Sequence, residues 1–265
     1  MSKYIEVFRL SFKMQIVWRF DAAMTMLMTF GRIFAGWILW RTIFDGKALV
    51  GGFTFRAMLS YYIAGSILNA VNFSNQISGE VSGLIREGRF SGHMVTPMNP
   101  MGFFSAMAAG ESAFHLGFSI LAAVLCAAVF RVDVALTGSA PGLLLGAAMA
   151  LLGLTFTSCF QYFIGILAFK FVDITFFLHV QWNIIAFATG AMVPLALLPK
   201  AALSVLQFVP FTHVVYTPAM LFTGQLTARE GLLGLGVITA WTLAVLVIAQ
   251  YTYGRLRVKY EGVGI

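Results

Sequence analysis

Few side chains in this sequence can do chemistry, and most of those stand inside apolar runs. Arg32 lies eleven positions past Asp21 in a run dominated by Ala, Met, Leu and Phe. At 1.5 Å per helical residue that is about 16 Å, near the middle of a bilayer. A cation at that depth costs at least ~2.5 kcal/mol. Arg32 therefore either lines a translocation path or a dimer interface and attracts an anionic group, or is clamped by a carboxylate or backbone carbonyls. Glu111 and His115 stand four apart on one helix face, which invites a proton relay. Counting back from Arg131 puts Glu111 about 30 Å from the outer end, at the inner boundary of the membrane. It reads as a carboxylate of the inner mouth, with His115 one turn deeper. His179, Gln181 and Asn183 share one apolar run, and Tyr61, Tyr62 and Asn69 share another. These are polar points of a pathway or hydrogen bonds between helices. Neither H-E-x-x-H nor another metal-ligand spacing occurs, and Cys126 and Cys159 sit within apolar runs as small buried residues. No catalytic residue and no metal ligand is assigned.

The elements that must position these residues are set by composition. The 265 residues are 60% hydrophobic and 10% charged, with a mean hydropathy of +0.88. Soluble domains carry roughly 25% charged residues, so a polytopic helical membrane protein is expected. Continuous rather than alternating apolar runs disfavour a membrane β-barrel. The net charge of +7 comes from basic residues at the ends of apolar runs, which points to anionic lipid headgroups and not to nucleic acid.

Residues 3–20 mix Lys3, Arg9, Lys13 and Arg19 with Tyr4, Phe8, Phe12, Ile16 and Trp18, the pattern of an amphipathic helix lying on the membrane. Six spans are expected, near residues 22–44, 55–71, 104–130, 141–168, 174–193 and 231–253. The first begins only after Arg19 and Asp21 and is long enough to cross, unlike a cleaved leader. With six spans, ten Lys and Arg fall on the side of both termini and six on the other, placing both termini in the cytosol. Gly142 and Gly146 form a GxxxG that suits close helix packing. Residues 194–227 are apolar but interrupted by Pro194, Pro199, Pro210 and Pro218. They are expected to dip into the outer leaflet as broken half-helices forming an outer gate; a pair of proline-kinked spans is the alternative.

Residues 72–100 form a polar, glycine-rich island between the second and third spans. Ile77, Val81, Leu84 and Ile85 recur there at helical spacing. They would insert into a groove of a partner or pack under their own bundle, with Glu80, Arg86, Glu87 and Arg89 as a charged rim. Gly79, Gly83, Gly88 and Gly92 each cost about 1 kcal/mol against Ala in a helix, so tertiary contact must order the segment. Pro97 and Pro100 are expected to stop it. Asn72-Phe73-Ser74 fits a glycosylation acceptor but is placed near the cytosolic face.

This architecture resembles the ABC-2-type transporter permeases. The resemblance rests on ISGEVSGLIREGRFSGHMVTPMNP (Ile77 to Pro100) and VPLALLPKAALSVLQFVPFTHVVYTPAMLFTGQ (Val193 to Gln225). It covers nearly the whole chain, is one of architecture and loosely defined motifs, and falls closest to small bacterial members without a large extracellular domain. It implies an all-α membrane protein forming one transmembrane domain over residues 1–265. The N-terminal interfacial helix, six transmembrane helices, a cytosolic coupling helix and re-entrant half-helices before the last span all belong to it. It implies a bacterial cytoplasmic (inner) membrane protein acting as an exporter, dimeric with a second copy or a sister permease. Two cytosolic ATPase subunits would bind ATP and Mg; this chain carries no G-x-x-x-x-G-K-[ST] sequence, needs no cofactor of its own and is not an enzyme. The cargo implied by Arg32 and apolar walls is amphipathic: a lipid, drug or peptide. The alternative is an ion- or proton-coupled carrier using Arg32, Glu111, His115 and His179, although the inverted repeats such carriers use are not evident.

Overall fold

The computed structural model describes residues 2–17, 19–70, 76–171, 173–190 and 194–259. Trp18, Val71, the Asn72–Ser74 acceptor and Val193 lie outside the described residues.

The chain is all helical in its long elements. Among the described residues four helices are long and apolar enough to cross a membrane: α2 (Arg19–Ile43), α6 (Pro100–Val129), α7 (Ala140–Ile166) and α11 (Ala228–Leu256). Local chemistry sets their starts. Asn99 caps α6 by accepting from the Met101 amide, Ser139 caps α7 at Gly142, and Thr227 with Glu230 forms a capping box on α11. Pro100 is the first residue of α6. It opens a helix where the sequence expectation had it close one, because its missing N–H is an unpaired group at that position anyway.

Two expected spans are shorter. Between α2 and α6 stands α3 (Phe55–Ala70), 16 residues or about 24 Å. After α7 comes α8 (Thr175–Ala188), 14 residues or about 21 Å. Both fall short of the ~30 Å hydrocarbon core. The α8 run continues apolar in sequence, but Gly190 takes a left-handed φ of 68° and ends it.

Between α3 and α6 lie α4 (Ile77–Arg86) and α5 (Ser91–Val95). Between α8 and α11 no described helix exceeds seven residues: α9 (Lys200–Leu206) and α10 (Tyr216–Phe222) alternate with single turns at Leu195–Leu197 and Pro210–His213. Pro194 and Pro199 immediately precede a turn or helix, Pro210 opens one, and Pro218 lies in the first turn of α10. The second half of this segment is interior, while α9 and Phe208 are largely exposed. Residues 216–221 are all buried, Phe222 fills the space a side chain at Gly146 would need, and Val214 does the same at Gly153. The GxxxG thus admits α10, with Gly142 close to the Leu221 carbonyl.

The N-terminal helix α1 (Ser2–Val17) runs side by side with the first half of α6, in the same direction, rather than lying free of the bundle. Lys3 Nζ donates to the Pro97 carbonyl, the Asn99 amide donates to Tyr4 Oη, Phe12 packs edge-on to Phe114, and Gln15 reaches His115. Glycines make this approach possible. A Cβ at Gly102 would stand 2.8 Å from the Tyr4 ring, and one at Gly110 would strike the Phe8 carbonyl. Phe90, just before α5, touches Tyr253 near the end of α11, so the start of α1, α4, α5 and the last turns of α11 gather at one end of the bundle.

Candidate functional site

A cavity of about 490 Å3 opens between α1, α2, α3 and α6. Asp21, Thr25, Met28 and Arg32 line it from α2, Asn69 from α3, and Glu111 and His115 from α6. The α2 residues recur at i, i+4, i+7 and i+11, which puts them on one stripe. Side chains on a helix lean toward its N-terminus, so Arg32 leans back toward the Asp21 end. Gln15 Oε1 lies 3.3 Å from His115 Nε2, and Asp21 is within electrostatic reach of that imidazole. Arg32 is the outlier. Its Nη1 is buried and has no hydrogen-bond partner. Among the described residues the ion pairs are Arg9–Glu6, Arg56–Asp133 and Arg89–Glu87, all exposed, so Arg32 is paired with neither Asp21 nor Glu111. Tyr62 lies within reach of the Arg32 charge and packs its ring against Gly36.

The remaining polar residues of the sequence reading go elsewhere. Tyr61 is 1% exposed and donates to the Gly190 carbonyl at 2.7 Å, so it braces the end of α8. Gln181 donates to Gln161 Oε1 at 3.0 Å and approaches Ser78 Oγ at 3.5 Å. His179 and Asn183 are exposed on one face of α8, where Asn183 donates to the His179 carbonyl. Arg32, Asn69, Glu111 and His115 therefore come together, with Tyr62 beside them, and Tyr61, His179, Gln181 and Asn183 do not. Sequence reasoning missed Gln15, Thr25, Thr29 and Gln76 as cavity residues, and used Asp21 only as a boundary marker. The Asp21–Thr25–Met28–Arg32 spacing was the available signal.

At the same end of the bundle, α4 buries Ile77, Val81 and Ile85, with Leu84 half-buried. They pack on α7: a Cβ at Gly165 would lie 2.8 Å from Val81 Cβ and 3.2 Å from Ser78 Cα. The apolar face of this helix is thus covered by the chain's own bundle. Its outer face carries Gly79, Glu80, Arg86 and Glu87, all exposed. Apart from the helix's own backbone and the adjoining residues, no described atom lies within 4 Å of where a Cβ would stand at Gly79 or Gly83. Glu87 pairs with Arg89. Gly88 turns the chain with φ 74° and delivers Phe90, fully buried, against His93, Phe169 and Tyr253. Protein surrounding Glu80 on its inner side pushes its carboxyl above the usual carboxylate range. His93, held among Phe90, Phe103 and Phe104, is depressed by burial.

The family profile described as ABC-2 family transporter protein matches residues 28–264. The chain belongs to the ABC-2 transporter family. It is accordingly a multi-pass membrane protein and a transport permease, a membrane subunit of the kind that works with ATP-binding subunits. No curated protein matches the chain. This membership favours the permease over an ion-coupled carrier built on Arg32, Glu111 and His115.

In this permease the proline-rich segment is fixed by hydrogen bonds. His213 joins Thr217 Oγ1 through Nδ1 and the Gln207 carbonyl through Nε2, each at 2.9 Å. Trp241 of α11 donates to the Phe208 carbonyl at 3.0 Å. A second cavity, about 630 Å3, lies between this segment and α11 and is lined by Leu203, Phe208, His213, Glu230 and Leu233 among others.

Proposed function

We propose that this chain is the membrane half of an ATP-driven exporter in a bacterial inner membrane. In this reading α2, α3, α6, α7, α8 and α11 are the six spans, with α3 and α8 completed by the segments that flank them. Both termini face the cytosol, and the segment from Pro194 to Thr227 forms the outer gate. Two such permeases, identical or related, form the pathway, and each takes one cytosolic ATPase that binds the ATP and Mg. The cargo is amphipathic. ATP-driven closure of the ATPases would shift the spans between packed states through differential contacts.

The observation that carries the reading is the two-faced α4. Its apolar face is anchored on α7, so a push on α4 moves a span. Its outer face holds charges of both signs and two glycines beside open space. A helix position with room for a side chain loses about 1 kcal/mol by being Gly instead of Ala. No described neighbour requires that loss at Gly79 or Gly83, which fits the close approach of a partner.

Gentle detergent purification from the native membrane, followed by mass spectrometry, tests the proposal. The expected result is a P-loop ATPase in near-equal amount. Recovery of the chain alone, or only with its own copies, across several mild detergents would count against it.

A further inference from the structure

The cavity between α1, α2, α3 and α6 carries charges that do not neutralise one another. Asp21 and Glu111 make the end near Gln15 and His115 acidic, while Arg32 stands deeper along α2. The half-buried Arg32 keeps one guanidinium nitrogen, Nη1, buried and without a hydrogen-bond partner, so that N–H group has lost water without regaining an acceptor. An anionic ligand would supply one. A purely anionic ligand, however, would also meet two carboxylates, and a purely cationic one would meet Arg32. Only a ligand bearing both signs satisfies the whole lining.

Geometry narrows the class further. Asp21 and Arg32 are separated by about 16 Å along the helix, and the arginine leans back toward the aspartate, leaving a gap on the order of 10 Å. Two ionic contacts of up to about 4 Å each then leave room for an anion and a cation only a few bonds apart. Met28, a lining residue, is 66% exposed and continues onto the outer apolar surface of α2 beside Leu27. The cavity therefore opens beside a surface suited to hydrocarbon.

We propose that this cavity binds the headgroup of a zwitterionic amphiphile. Its phosphate or carboxylate oxygens pair with Arg32, its ammonium group pairs with Asp21 and Glu111, and its tail lies over Met28 and Leu27. The proposal rests on the permease reading and assigns that permease a cargo class.

The test is the thermal unfolding midpoint of the complex as purified in non-ionic detergent, titrated with four probes. These are lysophosphatidylethanolamine, lysophosphatidylglycerol, dodecyltrimethylammonium and free phosphoethanolamine. A bound ligand raises the midpoint in proportion to its affinity. The zwitterionic lysolipid should raise it most. Arg32→Gln and Asp21→Asn should each weaken that probe about tenfold, ~1.4 kcal/mol. Equal shifts from all three amphiphiles, or undiminished affinity in both variants, would overturn the proposal. An equal shift from free phosphoethanolamine would overturn its amphiphile part and assign the site to a soluble zwitterion. Should Arg32→Gln fail to fold, a phosphatidylethanolamine analogue with a photoreactive tail on the wild-type complex decides. Label on α2 around Leu27 and Met28 supports the proposal, and label confined to other helices overturns it. ATPase subunits are scored in the same preparation. Their presence without probe selectivity sinks the cargo class alone, and their absence sinks the ATP-driven exporter reading beneath it.

Discussion

Two regions meet at the same end of the bundle and are built on opposite principles. The α4–α5 elbow is closed. Ile77, Val81, Ile85 and Phe90 are buried against α7 and the end of α11, and its Glu87 and Arg89 pair with each other at the surface. The α1–α2–α3–α6 cavity is open, with Arg32, Asp21 and Glu111 around it and no ion pair between them. Close packing transmits displacement, since packed interiors rearrange between discrete states rather than deform. Unpaired charge stores unsatisfied interaction that a ligand can complete. The difference separates a part that moves with a partner from a part that holds cargo.

Crowding the closed region should have the largest effect. Gly165→Leu places a side chain where Val81 and Ser78 already stand and should lift α4 from α7. Overpacking of this kind costs about 1–3 kcal/mol. ATP-driven transport in reconstituted vesicles should fall at least about tenfold, roughly 1.4 kcal/mol in rate terms, with Gly165→Ala milder. Normal transport in Gly165→Leu would mean that α4 does not work through this contact.

The open region should respond the other way. Arg32→Met removes an unpaired, half-buried cation and replaces it with a side chain of similar length. Removing an unpaired charge from a partly desolvated site removes a desolvation cost and leaves no partner charge stranded. The unfolding midpoint should hold or rise while transport is lost. A collapse in stability would make Arg32 a structural clamp and erase the contrast between the regions.

The smallest effect belongs to His93. Its folded value lies below the ordinary histidine value of about 6.5, so the unfolded chain binds the proton first as pH falls. Stability from this group is therefore complete above about pH 6.5 and declines as pH drops toward the folded value. The ring is only half-buried, so lowering the pH from 7.5 to 5.5 should move the midpoint by about 1 °C or less through this group. His93→Phe should remove that part of the shift, and an unchanged pH dependence would contradict it.

What could be read from the sequence depended on range. The 3.6-residue recurrence of Ile77, Val81 and Ile85 revealed an apolar face, but only the structure shows that Gly165, 84 positions beyond Val81, receives it. Tyr61 and Tyr62 looked equivalent in the string. One residue of helix is a turn of about 100°, which sends Tyr61 into the core and Tyr62 toward Arg32. The apolar run of α8 gave no sign of ending before Val193, because a left-handed Gly190 held by the Tyr61 hydroxyl is not a hydropathy signal. Pro100 was legible as a breaker but not as a beginning, since that depends on Asn99 capping the next helix. The cavity was least legible. Its charges come from α2 and α6, about 90 residues apart, and no local pattern joins them.

The central claim is that the outer face of α4 meets an ATPase. Cysteine crosslinking in native membranes tests it most directly. The native Cys126 and Cys159 are buried, so background reaction should be low. Arg86→Cys places a thiol on the exposed rim, and Leu232→Cys, on the exposed surface of α11 at the opposite end of the bundle, serves as the control. The account predicts that a short bifunctional maleimide joins the Arg86→Cys protein to a P-loop ATPase, in a nucleotide-sensitive yield, and leaves the Leu232→Cys protein without that product. Absence of an ATPase adduct at Arg86→Cys, or equal adducts at both positions, would contradict it.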